Sequence, residues 1–192
     1  MASVLAICSA HATTVQIQVQ GPDGKALAGA AVFLESREAR QKAKPLQVAE
    51  MAQMGRQFAP SVLIVPAGTS VSFPNRDTVR HHVYSFSETK KFELKLFAGT
   101  PANPVMFDKS GIAVLGCNIH DNMAAWIVVV DTPYYGLSDS LGITALADVP
   151  PANYRLRVWH SRLPVGAPAL DQALTVGNAT TSTTVRLTGL TP

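Results

Sequence analysis

The 192-residue chain (20.4 kDa) is 47% hydrophobic and only 15% charged, so it can fill a buried core and is not a disordered polymer. Sixteen basic against thirteen acidic residues leave a net charge of +3, which by itself does not argue for nucleic-acid binding, usually marked by a concentrated basic face. No apolar run reaches the roughly 18 residues of a membrane span, and two cysteines make no disulfide scaffold.

The first segment, Met1–Cys8, is a short apolar run, followed by Ser9-Ala10-His11-Ala12. Small residues at Ala10 and Ala12 match a secretory cleavage site, although the basic region that normally precedes such a run is missing. Residues 1–12 are therefore predicted to be a truncated signal peptide of a periplasmic or otherwise exported protein; an ordinary N-terminal strand or frayed tail is the alternative. Cleavage after Ala12 would remove Cys8 and leave Cys117 alone. A single cysteine in an oxidising compartment forms no internal disulfide. It is either buried and inert or occupied by something.

From Thr13 onward nearly every segment alternates with period two, and none has the 3.6 period of an amphipathic helix. Val15, Ile17 and Val19 alternate with glutamines, the turn Gly21-Pro22-Asp23-Gly24 follows, and Ala30–Leu34 is a second apolar run. Arg37–Lys44 is charged and reads as a solvated connector, a surface loop or short helix. Met51 and Met54 read as core residues rather than a second soft-metal site. Strands are expected at Val62–Val65 before Pro66-Ala67-Gly68, at Val71–Phe73 before Pro74-Asn75, and where Phe92, Leu94 and Leu96 alternate. Trp126–Val130 runs into a possible seam at Asp131-Thr132-Pro133; Tyr154, Leu156 and Val158 alternate beyond it, His160 reads as a cap on the terminal sandwich, and a last strand covers Thr183–Thr188. Short strands separated by turn signals argue for an all-β sandwich or barrel.

The opening Gly-Pro-Asp-Gly-Lys-Ala-Leu-Ala-Gly-Ala-Ala-Val and the closing third resemble the two halves of a carboxypeptidase-regulatory-like (transthyretin-like) β-sandwich. The resemblance implies an outer sandwich made from residues 13–36 and 132–192, with a second domain, 45–131, inserted or joined between them. Tandem domains and one extended sandwich are the alternatives.

Chemistry concentrates in Gly116-Cys117-Asn118-Ile119-His120-Asp121-Asn122-Met123. A thiol, an imidazole three residues on and a thioether three beyond that lie on one short loop. Soft sulfur ligands select copper, and imidazole suits it. Two histidines, a thiolate and a weak axial thioether make an electron-transfer copper site; the loop supplies three of the four, and the fourth must be a histidine from elsewhere. The pair His81-His82 in Asn75-Arg76-Asp77-Thr78-Val79-Arg80-His81-His82-Val83 offers it. Successive side chains of a strand face opposite ways, so one of the two would face the metal, and which one is open.

With Asn75 six residues before His81, the short Cys-x2-His-x2-Met spacing and Gly111 six residues before Cys117, residues 58–130 resemble the cupredoxins, the small type 1 blue copper proteins of the plastocyanin and amicyanin kind. The whole chain is similar to bacterial exported plastocyanin-like proteins, some labelled methylamine-utilisation proteins. The resemblance implies an eight-stranded Greek-key sandwich holding one copper through His81, Cys117, His120 and Met123. Two positions depart from the family. His82 stands where an asparagine normally ties the two ligand loops together, and Asn118-Ile119 replaces Ser/Thr-Pro, although Asn118 can still bond to the opposite loop.

Four side chains around one copper leave no open position for a substrate, which points to outer-sphere electron transfer rather than to an enzyme. On this reading His120 is the electron port beside Ile119, Met123 tunes the potential, and the mild positive charge favours a transient acidic redox partner. The chain is expected to be a monomer that engages neither nucleic acid nor a membrane span. A copper-binding or delivery protein with the same ligands is the main rival. An oxidase site begun by an N-terminal His11 and a sandwich with a fortuitous loop are two lesser ones.

Overall fold

The structure is a computed structural model that describes residues 13–119 and 123–191. The expected signal segment 1–12, with Cys8 and His11, and the candidate ligand His120 lie outside the described residues. The chain begins with β1 (Thr13–Gln20) and β2 (Ala31–Glu35), followed by the helix α1 (Arg37–Lys42). Next come β3 (Ala49–Glu50), β4 (Ala52–Met54), β5 (Gln57–Ala59), β6 (Val62–Pro66), β7 (Thr69–Ser72), β8 (His81–Ser87) and β9 (Lys90–Phe97). They lead to β10 (Val105–Phe107), β11 (Gly111–Gly116) and β12 (Ala124–Val130). The last third holds β13 (Tyr135–Leu137), β14 (Ile143–Val149), β15 (Ala152–Trp159), β16 (Leu170–Val176) and β17 (Thr181–Arg186).

The all-β expectation holds. The charged stretch forms one short helix because Ser36 Oγ accepts the Ala39 N–H at 3.0 Å, capping an end that would otherwise lack a partner. Arg40 then reaches Asp131 at 3.5 Å across the chain.

Four sheets stack in layers. The outermost has the order β14-β1-β17, and beneath it lies β13-β2-β15-β16. Next comes the five-stranded sheet β6-β12-β11-β8-β9, and then β10-β7-β3. The hairpin β4–β5 stands beside them. Strands from both ends of the chain pair with one another: β1 lies between β14 (antiparallel) and β17 (parallel), and β2 between β13 and β15.

The layer order follows from which side chains share a core. Val32 and Leu34 of β2 join Val15, Ile17, Leu156 and Val158 in one core, whereas Ala31 and Phe33 turn the other way. They meet Val62 and Ile64 of β6, Val128 and Val130 of β12, and Trp159. Ala125, Ile127 and Val129 of β12 face a third core with Phe73, Val83, Phe107 and Leu115. Runs such as Ala31–Leu34 and Ile127–Val130 are therefore apolar without alternation because both of their faces are buried. The outer layers pack directly on the five-stranded sheet, with Trp126 and Trp159 meeting at 6.2 Å between ring centres.

Two local expectations need correction. Leu96 was expected to continue the alternation of Phe92 and Leu94, yet it is exposed. The pairing runs His81↔Phe97 and then Val83↔Leu94, so β9 sets two residues, Lys95 and Leu96, opposite the single residue His82. Such a bulge re-aims the side chains around it, and Phe97 turns inward instead. Met51 is fully buried as expected, but Met54 is exposed at the end of β4. The two methionines share neither a core nor a site.

Candidate metal centre

The ends of β8, β11 and β12 converge. Gly116 pairs with Tyr84 of β8 on one side and with Ala124 of β12 on the other. The loop between β11 and β12 is closed by Cys117 N–H donating to Met123 O at 3.2 Å. Cys117 and Met123 therefore sit together at the loop's base, both almost fully buried in the core of the five-stranded sheet. Gly116 leaves room for Tyr84 there: a Cβ would lie 2.7 Å from the hydroxyl end of the Tyr84 ring. Gly111 opens β11 at φ +139, where a Cβ would come within 2.4 Å of Thr89 Oγ1.

The opposite loop delivers the histidine pair. Asn75 organises this loop from the inside: its Nδ2 donates to Val79 O at 2.8 Å and to Phe97 O at 3.0 Å, and its Oδ1 accepts Asp77 N–H at 2.9 Å. His81, with no exposed surface, follows at the start of β8. Its Nδ1 lies 3.7 Å from Cys117 Sγ, and its Nε2 lies 2.8 Å from Asp77 Oδ2. Strand alternation turns His82 the other way, its Nδ1 2.5 Å from Asn118 Oδ1 and its Nε2 2.9 Å from Glu93 Oε1. The Glu93 contact has ion-pair distance without hydrogen-bond alignment. His81, not His82, faces the thiol.

Both departures noted in the sequence resolve into one contact. The residue after His81 and the residue after Cys117 still tie the two loops together, now as His82 with Asn118. Ile119 follows and is exposed, an apolar side chain at the surface of the same loop. Phe86 and Val165, both strongly exposed, border a groove that reaches Cys117 and Met123.

The sequence left Asp77 without a role. Its carboxylate is also held by Gly55 N–H at 2.7 Å and Arg56 N–H at 2.9 Å, from the turn between β4 and β5. Burial pushes its pKa up, but the Arg56 amide, His81 and the Gly55 amide outweigh this and hold it below the ordinary carboxylate value. Asp77 is therefore ionised at neutral pH and accepts hydrogen bonds without donating any. Its position four residues before His81 was the one available signal. The turn that clamps it is distant from the motif and invisible to local reading.

The donors fit a soft first-row metal. A thiol, an imidazole nitrogen and a thioether are the set that copper prefers. Bond lengths of about 2.3 Å to sulfur and about 2.0 Å to nitrogen, as for zinc, let one ion bridge the 3.7 Å between Sγ and Nδ1. Among the described residues no group of three His, Cys, Asp or Glu side chains converges, so the third strong donor of such a site would come from outside them.

No protein-family model and no curated protein matches the chain. Among solved structures it is similar to the copper-containing nitrite reductase of Thermus scotoductus SA-01, with 28% identity and a TM-score of 0.41 over 45% of this chain. It spans only 23% of that protein. The purple cupredoxin of Nitrosopumilus maritimus aligns at 21% identity and a TM-score of 0.38, covering 43% of this chain and 99% of that one. A single-substitution variant of amicyanin in its reduced state aligns at 18% identity and a TM-score of 0.39, covering 52% of this chain and 98% of its own. The similarity to cupredoxins thus takes in about half of the chain, and the assignment of site residues rests on their own geometry.

Proposed function

We propose that the chain is an exported copper electron carrier of the cupredoxin kind, working in the periplasm as a monomer, with His81, Cys117, His120 and Met123 as ligands of one type 1 copper. The observation that carries this reading is the buried Nδ1–Sγ pair at 3.7 Å joining two loops, with Met123 at the base of the same loop. Bound copper would supply a one-electron Cu(I)/Cu(II) couple. Cys117 would serve as the strongest donor, as a thiolate. His81 and Met123 are enclosed by the core and expose almost no surface to water, so their positions would change little as the charge changes. With four side chains engaged there is no place for a substrate, which favours electron transfer over catalysis. Ile119, beside His120 in sequence, provides the apolar rim at which an acidic redox partner would dock transiently.

On the same reading, residues 13–36 and 132–192 form one sandwich interrupted by the cupredoxin segment 45–131. The pairing of β1 with β14 and β17 supports that division. The contribution of the outer sandwich would be mechanical: its inner sheet covers the apolar back of the five-stranded sheet, which an isolated cupredoxin would leave to water.

The test is the visible spectrum of the purified protein after Cu(II) addition, beside Cys117→Ala. An intense thiolate-to-copper band that bleaches reversibly with reductant, and that is absent from the variant, is expected. A colourless protein that holds Cu(I) without cycling would replace electron transfer by copper delivery. No bound copper at all would remove the reading.

A further inference from the structure

We propose that Asp77, clamped by the turn between β4 and β5, is a positioning residue that sets the ring of His81 so that Nδ1 faces Cys117. The inference rests on the reading of His81 as a ligand and adds the device that prepares it. A carboxylate only accepts hydrogen bonds, so the Asp77 Oδ2 contact at 2.8 Å places the hydrogen of a neutral His81 on Nε2. Nδ1 then presents its lone pair on the side where Cys117 Sγ lies at 3.7 Å.

The hairpin that holds Asp77 is otherwise hard to explain. Met54 pairs with Gln57, leaving Gly55 and Arg56 as a two-residue turn with both φ angles positive, +63 and +59. Such turns favour asparagine or glycine at these positions, and a long side chain at positive φ is uncommon. The conformation aims the two successive amides at the two carboxylate oxygens of Asp77, at 2.7 and 2.9 Å. The hairpin is in turn fastened to the histidine loop on both sides of Asn75: Gln53 N–H donates to Pro74 O at 2.9 Å, and Arg76 N–H donates to Gln53 O at 2.8 Å. The line from backbone to carboxylate to imidazole is continuous. Groups that hydrogen-bond a metal-ligating histidine fix its tautomer and raise its basicity. A more basic imidazole favours the more highly charged oxidised metal.

The experiment compares wild type, Asp77→Asn, Asp77→Ala and, as a control in the same loop, Arg76→Ala, which breaks only the exposed pair with Glu50. Circular dichroism identifies the folded variants. In metal-free, nitrogen-15-labelled protein, long-range proton–nitrogen spectra report the ring. Wild type and Arg76→Ala are expected to show hydrogen on Nε2, and Asp77→Ala a mixture or the Nδ1 form. On copper loading, Asp77→Asn and Asp77→Ala should lose roughly 10–100-fold in Cu(II) affinity and less in Cu(I) affinity. The reduction potential then rises by about 59 mV for each tenfold difference between the two losses. A folded Asp77→Ala whose ring keeps the wild-type tautomer overturns the proposal, as does an unchanged potential. The metal-free spectra decide it even if the wild type takes up no copper, so its failure is distinguishable from failure of the copper reading.

Discussion

Two of the buried histidines, His81 and His160, have surroundings that could hardly differ more. His160, in the outer sandwich, has Nε2 donating to Ala28 O at 3.0 Å and Nδ1 accepting Arg162 N–H at 3.1 Å. Both ring nitrogens are used up by main chain, and the side chain is a peg between two backbone segments. Two other polar side chains of that sandwich behave alike: Ser138 Oγ donates to Leu27 O at 2.6 Å and accepts Ala30 N–H at 2.9 Å, and Tyr154 Oη donates to Pro150 O at 2.9 Å. His81 is bonded instead to a carboxylate and turned toward a thiol. The ring of His160 closes on the backbone and pins two segments; the ring of His81 closes on side chains, a carboxylate on one side and a thiol on the other. The difference teaches that burial of a histidine says little about function until the partner of each ring nitrogen is known.

The sharpest way to break the comparison is through glycine, because each region depends on one. Gly142 has φ +75, and a Cβ there would lie 2.4 Å from the carbonyl oxygen of Val19. Gly142→Ala should cost about 3 kcal/mol in chemical denaturation, since backbone cannot turn aside. At Gly111 the opposing atom belongs to the Thr89 side chain, which can rotate away, so Gly111→Ala should cost less. Equal costs would show that backbone strain, rather than contact, sets both.

The loop tie comes next. His82→Ala and Asn118→Ala should each shift the position or width of the copper band, whereas His160→Ala should leave it unchanged. Together the first two should be non-additive by about 1–2 kcal/mol in a double-mutant cycle on stability. Additivity would mean that the His82–Asn118 contact does not couple the loops.

A smaller effect is expected at Tyr154, where burial is the leading cause that pushes the phenol pKa up to about 12. Tyr154→Phe leaves Pro150 O without its side-chain donor and should lower stability by about 1 kcal/mol without moving the copper spectrum. Loss of the band in this variant would show that the two sandwiches are coupled more tightly than their shared apolar core implies.

The smallest concerns pH. Burial, ahead of the nearby Arg162 charge, lowers the His160 pKa below its ordinary value despite the opposing bond to Ala28. The folded state therefore binds this proton less readily than the unfolded one. Stability from neutral His160 is complete above the unfolded pKa of about 6.5 and is lost as pH falls through the lower folded value. His160→Gln should flatten that part of a stability–pH curve. A curve of unchanged slope would assign the acid sensitivity elsewhere.

Much of the fold was legible from period-two alternation, because a strand with one face in a core must alternate. The apolar runs at Ala30–Leu34 and Trp126–Val130 were legible as strands, but their meaning was not: two-sided burial arises only when a second sandwich packs on the first. Leu96 failed for a related reason. A bulge beside His81 shifts register, and register is a property of two strands, not of one.

At the candidate site, spacing alone determined that Cys117 and Met123 share a loop, since seven residues between strand ends leave the chain few ways to close. It also determined that His81 and His82 must face opposite ways. Tertiary structure decided which of them meets the thiol, that His82 and Asn118 take over the bond between the loops, and that a turn more than twenty residues before His81 supplies two amides to Asp77. The physical reason is range. Alternation, turn chemistry and loop length act between near neighbours and are written in the local sequence, whereas the second partner of a buried polar atom is chosen by whatever strand the whole fold brings alongside.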